Sequence, residues 1–345
     1  MLVKEAKEEA YRWVMEEGIR IPKLRGAFLH GSINWLSDDA VFPEDSDLDI
    51  MLVIDAKDPG LKLGKFVYHD ILLEVSFLPK DEIDSADKVL GAYHLAGSFR
   101  APSILFDPYG ELTAVHKVAA KEFAARRWVE QRCRNAMEKI LEGCRQDPDA
   151  PFPQQVNSWL FPTGITTHVL LTAGLKNPTV RRRYMAVRSL LAEYGRLEFH
   201  EELLALLGCG SMSRIQVGSH LLELTEVFDI AKKVQRTPFF FSSDLTDAAR
   251  HLVIDASWKM ISSGYHREAV FWITATYVRC IQVISSDGTE EQLRRADRGF
   301  RRLLADLGVE DTTDLQQRIA DLKAALPRVW QTAEAIMDAN PEIED

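Results

Sequence analysis

Two aspartates at alternate positions introduce an apolar run, and this pattern suggests chemistry more directly than any other in the chain. Asp47 stands before, and Asp49 within, the run LDIMLVI that continues to Ile54. In an extended strand, residues i and i+2 point to the same face, about 6.6 Å apart along the chain. Two carboxylates on one face can share divalent cations such as Mg²⁺, which prefer oxygen ligands. The alternative is a solvated acidic loop, since Glu44 and Asp45 precede the pair.

A third carboxylate, Glu74, interrupts the apolar run ILLEVSFL (71–78) between Leu73 and Val75. An ionised carboxylate that is buried without a partner is costly, so Glu74 must reach solvent at a strand edge, find a partner or bind a metal ion. Beside the two aspartates it would complete a two-metal site. The alternative is a half-exposed strand that carries Glu74 and Ser76 on its wet face.

Gly31 and Ser32 follow the short apolar run Ala27–Leu29. Glycine lets the backbone turn and approach a phosphate, whose oxygens the serine hydroxyl and neighbouring N–H groups can then bind. Gly-Ser alone is only a loop signal, and the order of the features gives it meaning: strand, Gly-Ser, loop, Asp-x-Asp, then a strand with a central Glu. The chain has no P-loop, GxGxxG, HExxH or GxSxG motif, so nucleotide chemistry would need another scaffold.

Several strands are needed to bring these residues together. Strand-like runs occur at 27–30, 48–54, 71–78 and 103–106, and an amphipathic helix is predicted over 3–17. Strands that are apolar on both faces should be covered on both faces. The N-terminal third is therefore predicted to be a mixed α/β domain.

Beyond Gly110 the periodicity is helical almost throughout. One long helix is predicted over 111–145, followed by a linker near 146–155, and Asn177-Pro178 is predicted to start a later helix. The last residues, 340–345, are expected to fray. The further helical patterns cover 156–174, 178–194, 197–207, 212–234, 245–262, 265–285, 289–306 and 312–338. The predicted fold class is thus α+β, with a mixed sheet and flanking helices first and an all-α helical bundle after it.

The distribution of charged residues argues against some classes of binding partner. Residues 1–110 hold 20 acidic and 12 basic residues, and the whole chain carries a net charge of −10, so most of the excess negative charge lies in the first third. This argues against a nucleic acid partner, because binding to a phosphate backbone would need a basic stripe. The charge is compatible with metal ions or with a cationic substrate.

Targeting signals are not evident in the sequence. The N-terminus is charged within four residues and has no apolar h-region, and no run of about 18 apolar residues occurs, so no membrane span is expected. The four cysteines are scattered without a CxxC motif, which is typical of reduced, mostly buried thiols. These features predict a cytoplasmic protein.

The segments His30-Gly31-Ser32 and Asp47-Leu48-Asp49-Ile50, followed by Glu74, resemble the signature of the nucleotidyltransferase superfamily that shares a polymerase-β-like core. The phrase SILFDPYGEL (103–112) looks like the last core strand of these enzymes and the turn after it. With a helical C-terminal region added, the layout most resembles the aminoglycoside nucleotidyltransferases and their uncharacterised bacterial relatives. The matching motifs lie within residues 27–112.

The resemblance implies a catalytic domain over 1–112 and an α-helical domain over 113–345, which begins with a connecting helix over 113–145. One departure concerns the segment between Ser32 and Asp47, which is 14 residues long and acidic. Its length lies at or slightly beyond the long end of the usual range, and its charge makes it unsafe to transfer a substrate from another family member.

For the mechanism, the resemblance implies two Mg²⁺ ions and ATP or another nucleoside triphosphate as co-substrate. A hydroxyl of a small, aminoglycoside-like acceptor would attack the α-phosphate, pyrophosphate would leave, and a nucleoside monophosphate, expected to be AMP, would stay on the acceptor. Asp47 and Asp49 would bridge both metal ions. Glu74 would hold the ion on the nucleophile side or act as the general base. Gly31 and Ser32 would cradle the β- and γ-phosphates.

Two alternatives stay open: nucleotidyl transfer to a protein or RNA acceptor, and a non-catalytic nucleotide-binding or antitoxin-like relative. The low basic content of the first third argues against RNA, and three converging carboxylates argue against a non-catalytic protein. A basic group is expected near the triphosphate, and Arg134, Lys139 and Arg181–Arg183 are candidates that fit a solvated helix face better. The aromatic segment Phe239–Phe241 is predicted to pack in the core or between helices.

Overall fold

The protein combines a mixed β-sheet near its N-terminus with a helical C-terminal region, as expected for an α+β chain. The computed structural model describes residues 1–345. Five strands form the sheet: β1 (Leu24–His30), β2 (Leu48–Ile54), β3 (Gly64–Tyr68), β4 (Ile71–Pro79) and β5 (Ile104–Phe106). The α-helices are α1 (Val3–Glu16), α2 (Ala86–Gly91), α3 (Glu111–Glu122), α4 (Arg126–Gly143), α5 (Phe152–Ala173), α6 (Arg183–Glu193), α7 (Glu198–Leu206), α8 (Arg214–Val234), α9 (Asp247–Arg250), α10 (Ala256–Ser262), α11 (His266–Asp287), α12 (Glu290–Asp306) and α13 (Thr312–Ala339).

The chain divides into two compact units, and the division differs from the boundary expected at residue 112. The first unit comprises Met1–Arg132, Phe239–Asp244 and Pro341–Asp345. The second comprises Cys133–Pro238 and Leu245–Asn340. The first unit therefore contains the whole sheet and also receives two short segments from late in the chain.

The sheet of the first unit has the strand order β3-β4-β2-β1-β5. β2 and β4 run parallel, and the other neighbouring strands pair antiparallel. Leu48, Ile50 and Leu52 of β2 pack in a core with residues of α1, whereas Val53 packs on the other face with residues of α2 and α3. The prediction that these apolar strands are covered on both faces is confirmed.

The single helix predicted over 111–145, including the connecting helix over 113–145, is wrong, because α3 and α4 are separate. Between them Ala125 forms a bridge with Glu344, and the N–H of Arg126 donates to the Glu344 carbonyl at 2.7 Å. The Arg126 N–H thus bonds outside the helix instead of to a carbonyl one turn earlier, which ends the helical pattern. The same pairing holds Glu344, so the expectation that segment 340–345 frays is wrong for that residue.

The predicted helix start at Asn177-Pro178 is also wrong, since α6 begins later, at Arg183. The guanidinium of Arg183 is buried, donates from Nε to the Val180 carbonyl at 2.7 Å and lies 4.0 Å from the centre of the Phe271 ring. The Val180 carbonyl, in the loop before α6, therefore accepts its hydrogen bond from this side chain.

The remaining helices predicted for the second unit are present within a few residues of their expected bounds. The pattern over 245–262 forms α9, a π-helical turn at His251–Asp255 and α10. The linker expected near 146–155 is shorter, because α5 begins at Phe152 with a proline in its first turn. By length and composition α11 alone could cross a membrane, but 78% of its most apolar stretch is buried inside the structure.

Candidate functional site

A row of polar side chains crosses the sheet of the first unit at the level of Asp49. In the parallel pairing of β2 with β4, Asp49 lies opposite Glu74. On the other side of β2, Asp49 lies opposite His30 at the end of β1. Lys65 of β3 in turn lies opposite Glu74. Because residues that pair across neighbouring strands share a face, these four residues form a continuous row on one face of the sheet.

Asp47 adds a third carboxylate to this row from the segment just before β2. The ligand oxygens of Asp47, Asp49 and Glu74 all lie within 4.8 Å of one another. Each of the three side chains is half-buried. The three carboxylates selected from the sequence therefore converge in space and could together hold divalent cations.

Gly31 lies directly against this cluster. Its φ of +68° is in the left-handed region, and a Cβ added at this position would overlap Oδ2 of Asp49. Only glycine fits here without displacing the carboxylate. Ser32, the next residue, has its hydroxyl 3.5 Å from that of Ser46, immediately before Asp47. Gly31 and Ser32 thus lie beside the carboxylates, as the predicted order of motifs requires.

Two lysines outside the predicted motif also occupy the site. Lys62 donates from Nζ to Oε1 of Glu74, and Lys65 donates from Nζ to Oε2 of the same carboxylate. Lys65 also pairs with Oδ2 of Asp47 at 3.0 Å, and its side chain is only 9% exposed. The cationic groups of the site are therefore these two lysines, whereas Arg134, Lys139 and Arg181–Arg183 belong to the second unit.

Neither lysine was predicted, because no strand was expected at β3, which contains Lys65 and which Lys62 precedes by two residues. β3 and β4 form a hairpin whose two central residues, His69 and Asp70, have φ values of +43° and +67°. Turns of this kind usually contain Asn-Gly or Asp-Gly, so His-Asp gave no hairpin signal. The run Phe66-Val67-Tyr68, which consists of aromatic and β-branched residues, was the one cue that could have indicated a short strand.

A fourth carboxylate reaches the site from the segment Phe239–Asp244, which is far from the sheet in sequence. Asp244 Oδ1 lies 3.0 Å from Lys65 Nζ, and each side chain is 9% exposed. The segment approaches β3 closely at Gly64, where an added Cβ would overlap the hydroxyl of Ser243. No local pattern in the sequence could have shown that these residues come together.

The electrostatic environment shows that negative charge is in excess. Burial raises the pKa of Asp49 well above its ordinary value, and the charges of Asp47 and Glu74 raise it further. Burial alone would lower the pKa of Lys65, but Asp47, Asp244 and Glu74 raise it above its ordinary value. With all groups ionised, the four carboxylates and two ammonium groups carry a net charge of −2, which one divalent cation would balance.

His30, at the β1 end of the row, is held as a neutral side chain. Burial lowers the pKa of His30 to about 4, and the charge of nearby His94 acts in the same direction. Its Nδ1 lies 2.8 Å from the hydroxyl of Ser98, so the ring orientation is fixed by a hydrogen bond. His30 therefore does not supply a positive charge to offset Asp49 at neutral pH.

The donor set of the cluster fits a hard divalent cation. Asp47, Asp49 and Glu74 offer only carboxylate oxygens, which Mg²⁺ prefers, and leave room for further ligands such as water or phosphate oxygens. A cation among them would relieve the repulsion that raises the pKa of Asp49. The two lysines place additional positive charge beside the same carboxylates, where an anionic ligand could bind.

Comparisons with known proteins add no relative: no protein-family model matches the chain, and no curated protein matches it at a significant level. A function can therefore be inferred only from the geometry of the carboxylate cluster and from the order of the motifs that form it.

Proposed function

We propose that the protein is a magnesium-dependent nucleotidyltransferase with a polymerase-β-like catalytic core. It would move a nucleoside monophosphate, AMP from ATP, to a hydroxyl of a small molecule and release pyrophosphate. The observation that carries this proposal is the convergence of Asp47, Asp49 and Glu74 within 4.8 Å, directly beside Gly31. These are the same residue types, in the same chain order, as in the nucleotidyltransferase signature.

In the proposed reaction the acceptor oxygen forms a bond to the α-phosphorus of ATP. The bond from the α-phosphorus to the oxygen that bridges to the β-phosphate breaks, pyrophosphate leaves, and the proton of the acceptor hydroxyl passes to solvent. Asp47, Asp49 and Glu74 would hold two Mg²⁺ ions. Such ions, when bound, lower the pKa of an attacking hydroxyl, neutralise the triphosphate and stabilise the leaving group.

Glu74 fits the role of a metal ligand better than that of a general base. Both of its carboxylate oxygens accept hydrogen bonds from ammonium groups, those of Lys62 and Lys65. Because each oxygen already faces an ammonium donor, neither is placed to take a proton from an acceptor hydroxyl, whereas a divalent cation can take the place of an ammonium group. This supports one of the two roles that the family resemblance leaves open.

Gly31, Ser32 and Lys62 would receive the phosphates. Gly31 has no side chain, so its backbone can approach a phosphate beside Asp49, and Ser32 offers a hydroxyl. Lys62 is 22% exposed, more than Lys65, and is therefore the better placed of the two lysines to meet a ligand that enters from solvent. Its charge would complement the triphosphate.

The acceptor is proposed to be a small hydroxylated molecule, with aminoglycoside-like compounds as the first class to test. The excess of negative charge in residues 1–110 suits a cationic acceptor and repels nucleic acid. A protein or RNA acceptor, and a non-catalytic protein that only binds nucleotide, are the alternatives that an experiment should separate.

The test is a transfer assay with ATP labelled on the α-phosphate, Mg²⁺ and a panel of aminoglycosides and other hydroxylated antibiotics. We expect label on a small molecule, and none with Asp47→Asn/Asp49→Asn. The matched control is Asp38→Asn/Asp39→Asn, which removes two exposed acids of the preceding loop that pair with Lys7 and Lys4.

Each other outcome identifies an alternative. Label on protein or RNA would favour a macromolecular acceptor. ATP binding without transfer to any acceptor would favour a non-catalytic relative. Full transfer by the cleanly folded Asp47→Asn/Asp49→Asn protein would rule out the proposed centre.

A further inference from the structure

The segment Phe239–Asp244 is built to present a carboxylate to the sheet of the first unit. The N–H of Phe239 donates to the Ser242 hydroxyl at 2.8 Å, and the N–H of Asp244 donates to the Phe241 carbonyl at 2.8 Å. Phe241 is buried, and its ring stacks on that of Phe239 with their centres 5.1 Å apart. The segment is therefore a tight turn with an aromatic base and Asp244 at its end.

The expectation that the aromatic segment packs in the core holds only in part. Phe241 is buried as predicted, but Phe240 is 64% exposed. The packing of Phe241 therefore anchors the turn, and the ion pair of Asp244 with Lys65 fixes its end on the sheet.

Lys65 is the residue through which Asp244 reaches the metal centre. Its ammonium group contacts Asp47, Glu74 and Asp244, which come from three separate parts of the chain. Asp47 and Glu74 are proposed metal ligands, whereas Asp244 is not part of the cluster that could hold a metal ion. A divalent cation and the Lys65 ammonium would thus compete for the same two carboxylates, and Asp244 offers Lys65 a partner outside that competition.

We propose that Asp244 is a positioning residue of the metal centre, which anchors the ammonium group of Lys65 at the margin of the site so that Asp47 and Glu74 can bind divalent cations. The inference rests on the proposed function. Without Asp244, the Lys65 ammonium group would pair with Asp47 and Glu74 alone. A divalent cation would then have to displace the ammonium group from these two carboxylates. Partners of metal ligands that lie outside the coordination shell commonly tune metal affinity in this way.

The experiment measures binding of Mn²⁺, as a probe for Mg²⁺, by electron paramagnetic resonance of the free ion. Four forms of the full chain are compared: wild type, Asp244→Asn, Lys65→Met and the double variant. We expect Asp244→Asn to raise the Kd for Mn²⁺ about tenfold. In the Lys65→Met background the same change should alter Kd by less than about twofold, the scatter expected for uncoupled sites.

Two results would overturn the inference while leaving the metal centre in place. An equal increase in Kd in both backgrounds would show that Asp244 attracts the cation directly through its charge. A lower Tm for Asp244→Asn with an unchanged Kd would show that the contact only stabilises the fold. Lys65→Gln repeats the cycle if Lys65→Met does not fold, and Asp247→Asn, at an exposed acid three residues further on, is the matched control.

Failure of the proposed function gives a different pattern. If the wild-type protein binds no Mn²⁺, or if Asp47→Asn binds it as tightly as the wild type does, then the metal centre itself is wrong and the inference about Asp244 is wrong with it. Wild-type binding that Asp47→Asn abolishes, together with no dependence on Asp244, refutes the inference alone.

Discussion

Asp49 on β2 and Glu74 on β4 lie opposite each other in a parallel pairing in the middle of the sheet. Like charges directly opposite on neighbouring strands destabilise a sheet. Asp47 adds a further negative charge, and the lysines that pair with Asp47 and Glu74 reduce the repulsion without removing it. A fold that keeps this arrangement gives up stability at a site, which is typical of a functional centre.

We therefore expect Asp49→Asn to stabilise the protein when divalent cations are removed with EDTA. The change removes one of the repelling charges and keeps the shape of the side chain, so the free energy of unfolding should rise by about 1 kcal/mol. With Mn²⁺ added, the order should reverse, because the wild-type protein gains binding energy and the variant does not. Thermal unfolding with and without Mn²⁺ measures both effects. A variant less stable than wild type in EDTA would contradict the repulsion argued from the pairing.

Gly31→Ala should impair both stability and transfer. The residue has a φ of +68°, and the new Cβ would overlap Asp49 Oδ2, so the carboxylate or the backbone must move. We expect a loss of about 1–3 kcal/mol in the free energy of unfolding and a large loss of transfer activity. Gly60→Ala is the matched control, because Gly60 also has a positive φ but open space around its Cβ position. Equal effects of the two changes would mean that contact with Asp49 is unimportant.

The residues of the site that could be predicted are those that lie within a recognisable local pattern of the sequence. β2 and β4 were recognised because they are apolar on both faces, and their carboxylates interrupt that pattern. Lys65 was missed because its strand leads into a hairpin turn with an unusual sequence, His69-Asp70. Asp244 was missed because its place depends on how a distant segment docks on β3 at Gly64. Short-range periodicity carries no information about such docking.

The helices likewise divide into features that the sequence predicts and features that depend on tertiary contacts. Most helices of the second unit follow from their apolar pattern alone, because they bury one face or, in α5 and α11, most of their surface. The break between α3 and α4 does not, because it depends on pairing of Ala125 with Glu344 at the opposite end of the chain. The late start of α6 likewise depends on tertiary contacts, because the buried Arg183 contacts the Val180 carbonyl and the Phe271 ring.

The stability of the second unit should fall in mild acid because of His200 on α7. Burial lowers the pKa of His200 to about 4; the charge of Glu201 opposes this shift, and those of Arg188 and Arg267 add to it. The unfolded chain binds a proton near the ordinary value of about 6.5, so stability contributed by neutral His200 is complete above that pH and decreases as the pH falls toward 4. Between pH 7 and pH 5 we expect a loss of about 1–2 kcal/mol.

Urea unfolding at several pH values, followed for the wild type and His200→Gln, measures this effect. The variant should be less stable at pH 7 but should show a shallower pH dependence between pH 7 and pH 5. His69→Gln is the control, because His69 is an exposed histidine of the first unit. Parallel pH profiles for the wild type and His200→Gln would exclude His200 as the source of the acid sensitivity.

Lys62→Met should change the affinities for nucleotide and metal ion in opposite directions. Lys62 donates to Oε1 of Glu74, so its loss frees one oxygen of a proposed metal ligand and should tighten Mn²⁺ binding. The same change removes the positive charge proposed to meet the triphosphate, and the KM for ATP should rise about tenfold, the effect of losing one hydrogen bond to a charged group. Lys57→Met, at an exposed position in the loop that precedes β3, should alter neither quantity. If both affinities weakened together, Lys62 would be a structural support of Glu74, and the phosphate-binding role proposed for it would be wrong.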